Sequence, residues 1–171
     1  MVPKTMAGAV RKAEGDHPLI VTAFFVPGVP VAQGSSRAFL VPGRDGDRPR
    51  AVVTAANRAE LRSWRYLVAS AAAGLFLRPL DGPVELVLEF HLPIPKTRHR
   101  TLRTERQIAE WARPVRKPDL DKLVRAALDA LTGVAFRDDA QVVALDARKE
   151  YADTPGLRVF VERAQRCGGA G

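Results

Sequence analysis

Four aspartates fall in two pairs, Asp119 with Asp121 and Asp138 with Asp139, inside the stretch KPDLDKLVRAALDALTGVAFRDDAQVV that runs from Lys117 to Val143. Ionised carboxylates gathered without a positive partner repel one another, so a cluster of them favours a hard divalent cation with oxygen ligands, Mg²⁺ or Mn²⁺. Arg125 lies one turn inside the first pair, where a fixed positive charge can hold a phosphate or stabilise charge developing on it. A plainer reading stays open beside this one. Asp119 suits a helix N-cap, and Asp138-Asp139 suits a turn into a strand. Asp121, Arg125 and Asp129 are spaced i, i+4 and i+8, which also fits a surface ion-pair stripe worth a few tenths of a kcal/mol. We assign Asp129 to such a stripe and Arg125 to the chemistry.

The elements that would position these groups are marked in the sequence. Leu120, Leu123, Val124, Ala127, Leu128 and Leu131 repeat with the period of one apolar helix face, predicting a helix over 120–131. Pro118 and Asp119 mark its start, and Gly133 supplies the permissive residue past its end. Such a helix advances about 18 Å, and the residues from Thr132 to Asp139 span up to about 26 Å if extended. The chain can therefore return and set Asp138 and Asp139 beside the helix start, which predicts a metal site.

At these residues the sequence resembles the RusA-like Holliday junction resolvases, the crossover-junction endodeoxyribonucleases of bacteria and their phages. The resemblance rests on the Asp-x-Asp pair, the helix ending Asp-Ala-Leu, the Asp-Asp-Ala-Gln-Val-Val segment, the Pro-x-x-Gln-Gly-Ser-x-Arg pattern around Gln33 to Arg37, and the order of elements over roughly residues 19–163. It implies that Asp119, Asp121 and Asp139 are metal-binding catalytic aspartates with Asp138 in support. It also implies a Mg²⁺ cofactor that Mn²⁺ can replace, a four-way DNA junction as substrate, and a homodimer. Arg125 stands where relatives can carry lysine, which keeps an electrostatic role and removes a proton-transfer one. Lys122 adds positive charge where relatives can carry asparagine.

Composition agrees with a nucleic-acid enzyme of one domain. The chain has 171 residues, 46% of them hydrophobic, and 27 Lys and Arg against 19 Asp and Glu for a formal charge of +8. The positive excess must lie away from the aspartates, on surfaces that meet phosphates. Arg37 in a long Gly/Pro/Arg-rich loop, and Lys96, Arg98, Arg100, Arg103, Lys117 and Lys122 around the basic run that leads into the aspartates, are the DNA-binding candidates. Cys167 is the lone cysteine, which excludes an intrachain disulfide and a cysteine metal cluster. No signal-peptide core or membrane-length apolar run is present, so a cytoplasmic location is expected.

In order, the patterns predict a tail over 1–17, a buried strand from Leu19 to Val26, and a small strand from Ala51 to Val53. A helix follows from Asn57 and Glu60 to about Ala73 or Leu77, with Trp64 in the core. Val84 to Leu92 alternates as a half-exposed strand with His91 on the wet face, and a short helix near Glu105 to Trp111 follows, with Trp111 docked on the core. Two more strands, Gln141 to Tyr151 and Leu157 to Glu162, read as a hairpin turning at Asp153 to Gly156, and 165–171 as a frayed tail. The fold class is α+β: a single nuclease domain over 18–164, a small mixed or antiparallel sheet with two main helices packed on one face, and long basic loops.

Three functions compete for this pattern. The leading one is a Mg²⁺-dependent, structure-selective endonuclease that resolves four-way junctions in recombination and repair. An Asp-x-Asp phosphohydrolase fits poorly, because its aspartate should end an apolar strand of a parallel sheet and here the pair opens a helix. A non-catalytic junction or single-strand binding protein with structural carboxylates keeps the same basic loops, and a cleavage assay separates it from the first.

Overall fold

The structure is a computed structural model that describes residues 7–12, 19–34, 36–41, 48, 50–55, 57–95 and 114–164. Its strands are β1 (Ala7–Lys12), β2 (Leu19–Pro27), β3 (Ser36–Val41), β4 (Arg50–Ala55), β5 (Val84–Pro93), β6 (Val142–Ala152) and β7 (Gly156–Arg163). Its helices are α1 (Arg58–Ala73) and α2 (Leu120–Leu131). Five strands make one mixed sheet in the order β1-β2-β7-β5-β6, and β3 pairs with β4 in a separate two-stranded sheet. Among the described strands only β5 and β6 run parallel, and the connection between them carries α2 across the sheet.

Alternation decides which face of the sheet is covered. Val84, Leu86, Leu88 and Phe90 of β5, Leu157, Val159 and Val161 of β7, and Phe24 and Val26 of β2 point to one side and are buried. They meet Leu61, Trp64, Val68 and Ala72 from α1, and Leu123, Ala126, Ala127, Ala130 and Leu131 from α2, in a single core cluster. Both helices therefore lie on that face, the α+β arrangement expected, and Trp64 is core as predicted. Removing a side chain as large as Leu88 or Phe90 from such a core costs about 2–5 kcal/mol.

The other face has no helix over it among the described residues. Glu89 is buried there all the same, held by ion pairs to Arg148 and to Arg158, while His91 lies 3.1 Å from Glu150. His91 thus sits on the uncovered face, as the alternation implied.

Several expectations need correction. Residues expected as a tail include β1, which pairs antiparallel with the outer edge of β2 from Ala7↔Phe24 to Lys12↔Leu19. An edge strand of this kind is held by its main chain, and no side-chain period announces it. The small strand at 51–53 is the centre of β4, and its partner β3 was not anticipated. The last two strands are not a hairpin. β5 lies between them, parallel to β6 and antiparallel to β7. Strands two places apart are only about 9.6 Å from each other, a gap that Asp153 to Pro155 can cross, so a tight-turn sequence is compatible with either neighbour relation. Burial makes the choice: β5, whose inward side chains are all apolar, takes the inner position, and β6, none of whose residues is fully buried, takes the edge. The short helix near Glu105 to Trp111 and the frayed end over 165–171 lie outside the described residues.

Candidate active site

The start of α2 is built by three long-range contacts. The chain reaches Asp119 through a cis Lys117–Pro118 peptide, and Lys149 of β6 donates from Nζ to the carbonyls of Arg116 at 2.9 Å and Pro118 at 2.8 Å. On the other side, the Gln33 backbone N–H donates to the Lys122 carbonyl at 3.0 Å, fixing the loop after β2 against the helix. Arg65 of α1 then donates to Gln33 Oε1 at 3.1 Å and pairs with Asp129 of α2. Asp129 is thus an ion-pair residue as expected, although its partner is on α1 and not Arg125 of its own helix.

Asp119 takes the N-cap position, where its carbonyl accepts from Leu123, yet its side chain makes no cap hydrogen bond. The carboxylate instead accepts from Lys122 Nζ at 2.6 Å. That hydrogen bond and the ammonium charge behind it hold the Asp119 carboxyl below its ordinary value, with Lys117 and Lys149 adding to the effect. The same bond raises Lys122. Capping, the plainer reading of Asp119, therefore accounts for its place in the chain but not for where its carboxylate goes.

Past α2 the chain does not run back extended. Gly133, with φ 79°, donates to the Phe136 carbonyl at 2.7 Å and closes a compact turn, and Asp139–Gln141 then forms one turn of 3-10 helix before β6. Asp138 caps that turn, its Oδ1 accepting from the Ala140 N–H at 2.9 Å. Gln141 completes it: its Oε1 accepts from Arg137 and Asp138 N–H groups, and its Nε2 donates to the carbonyls of Leu80 and Gly82. Both aspartates are exposed, but with Asp138 engaged in this way it is Asp139 that lines the groove beside α2.

Asp121, Arg125 and Asp139 line one open groove of about 600 Å³ between α2 and the edge strand β6, floored by Leu120, Val124, Leu128, Leu145 and Ala147. All three charged groups are exposed, and among the described residues none of them is in an ion pair. Among the described residues no group of three carboxylates is gathered tightly enough to cage a metal ion. The expected meeting of four carboxylates at one point is thus not assembled: Lys122 draws Asp119 aside and the 3-10 turn engages Asp138. The donor set still fits a small hard cation. Mg²⁺ keeps several waters and is held by one or two carboxylates together with substrate phosphates, and Asp121 and Asp139 offer such oxygens on the groove that Arg125 shares.

Of the DNA-binding candidates, Lys117 is exposed just before Asp119, and Lys122 is taken up by its ion pair. The backbone of Arg37 lies in β3 opposite Thr54, while Lys96, Arg98, Arg100 and Arg103 lie outside the described residues. Lys149, Gln141, Gln33 and Arg65 went unrecognised as supports of the site. Only Lys149 left a signal. It falls in phase with Leu145 and Ala147 on the helix-facing side of β6, where a lysine needs a polar partner.

A family model described as endodeoxyribonuclease RusA matches residues 27–162, from the end of β2 to the end of β7. The chain belongs to the RusA endodeoxyribonuclease family. It is also 30% identical over 142 residues to the Bacillus subtilis (strain 168) protein named "Uncharacterized protein YqaN", an overlap of 81% of this chain and 93% of that one. The RusA match takes in the groove and the contacts that build it.

Proposed function

We propose that this chain is a Mg²⁺-dependent, structure-selective nuclease that resolves four-way DNA junctions by paired, symmetric phosphodiester hydrolysis, acting in recombination and repair as a homodimer. The observation that supports it is the groove lined by Asp121, Asp139 and Arg125, none of which has an ion-pair partner among the described residues, within a RusA-family chain of formal charge +8. Asp121 and Asp139 would hold the cation, with Asp119 as a further oxygen donor once freed from Lys122. A divalent cation held there supplies Lewis acidity toward both water and phosphate. Arg125 holds the phosphate and offsets the charge that builds on it, and as a guanidinium it retains its proton throughout. The basic surface draws the junction in by counterion release.

The test is cleavage of a synthetic four-way junction and a matching duplex, each with Mg²⁺ or EDTA, by the wild type and Asp139→Asn. Junction cutting that needs Mg²⁺ and is abolished by the substitution, with junction binding retained, is the expected result. Binding without cutting under every condition would favour the second reading, a junction-binding protein with structural carboxylates, to which the capping role of Asp138 lends support.

A further inference from the structure

We propose that Lys122 is a built-in counter-ion of Asp119 which an incoming divalent cation must displace, so that this lysine sets how tightly the site takes up metal. The inference rests on the reading of Asp119 as a metal ligand given above.

Geometry carries it. Lys122 sits three residues after Asp119 in the first turn of α2, and its Nζ lies 2.6 Å from Asp119 Oδ2. The carboxylate has forgone the helix-capping bond that its position offers, leaving the ammonium as its hydrogen-bond partner among the described residues. Asp121 and Asp139, in contrast, line the groove and, among the described residues, form no ion pair. The pair is also arranged to open. The Lys122 backbone is pinned, its carbonyl accepting from Gln33, while its side chain is 38% exposed at the end of a flexible stem. Exposed ion pairs are weak, and a compact ammonium can turn to solvent or to a phosphate without disturbing the helix. A lysine in this place holds the carboxylate in the metal-free protein and resists, without blocking, a cation that competes for it.

Direct metal binding without DNA tests this. Mn²⁺ uptake by the full chain is followed by electron paramagnetic resonance, with Mg²⁺ as competitor, in the wild type, Lys122→Met and Asp119→Asn. Lys122→Met keeps the stem and removes the charge, and its affinity should rise roughly tenfold, the size Coulomb's law gives for one unit charge about 6 Å from a divalent ion in a water-like dielectric. Asp119→Asn should bind more weakly than the wild type. Equal or weaker binding by Lys122→Met, or undiminished binding by Asp119→Asn, overturns the proposal while leaving a metal site at Asp121 and Asp139 intact. No uptake by any of the three overturns the metal reading and this inference together. In the unmodified protein, the ion-paired Lys122 ammonium resonance should move toward the free-lysine position as Mg²⁺ is added, and a resonance untouched by saturating Mg²⁺ also overturns it.

Discussion

A carboxylate at a helix N-cap ordinarily folds back onto the first free N–H groups of its helix, and in Asp119 the competing attraction of an ammonium three residues on wins. The consequence for pH follows from the directions of the two shifts. Asp119 has its pKa lowered from 3.8, so what it contributes to folding is present above that value and lost only as pH falls through its folded-state pKa. Lys122 has its pKa raised from 10.5, so its contribution is present below that value and lost as pH rises through its own folded-state pKa. The pair is therefore fully charged across neutral pH. A lysine-selective NMR titration of the metal-free protein between about pH 5 and 9 should find the Lys122 ammonium signal unmoved. Arg125 answers a different question. If it supplies charge and not a proton, Arg125→Lys keeps substantial junction-cleaving activity and Arg125→Ala loses about 10²-fold or more, measured as single-turnover rates. Equal loss in both variants would mean that a bidentate guanidinium geometry is what matters.

Gly156, the first residue of β7, shows how closely neighbouring elements meet. A Cβ placed there would lie 2.1 Å from the Phe25 ring and 2.7 Å from the Val26 carbonyl oxygen of β2. Gly156→Ala should thus destabilise the fold by about 1–3 kcal/mol in urea unfolding, because the backbone oxygen cannot step aside as a side chain can. Contacts of this kind mark the boundary of what the sequence made legible. The α2 helix, the β5 alternation and the Trp64 face were readable because each is a local period repeated over a dozen or so residues. The placement of β6 beside β5 was not, since a short turn after β6 suits a hairpin and a crossing equally well. Within the site, the residue types at Asp121, Arg125 and Asp139 were legible from spacing. The capture of Asp119 by Lys122 and the use of Asp138 as a cap were not, because both depend on rotamers that several partners compete to set. Lys149 and Arg65 escaped notice for another reason: each acts through a partner some 30 to 60 residues away, and no periodicity connects them.

The two faces of the sheet carry different charged groups. On the face of the sheet opposite the helices, a hollow of about 570 Å³ is bordered by Glu85, Glu89, Asp146 and Glu162 over an apolar floor that includes Val87 and Phe160. A hollow lined by these carboxylates disfavours phosphates, which supports the proposal that DNA lies along the groove of Asp121, Arg125 and Asp139. The uncovered face and the edge of β6 are then the surfaces left for a second copy, and two copies about a two-fold axis would offer two grooves to two opposed strands. Light scattering at assay concentration should give about twice 18.7 kDa, and a monomeric mass both free and junction-bound would sink the dimer. The strand order carries one more consequence, for synthesis of the chain. β2 and β5 share β7 as their common neighbour, and β7 ends at Arg163. Until β7 leaves the ribosome, no strand joins the β1-β2 pair to the β5-β6 pair, and Leu86, Leu88 and Phe90 are flanked on one side only, by β6. A product that stalls before β7 therefore lacks the strand that unites its sheet, so the fold that carries the groove is not complete until β7 has been translated.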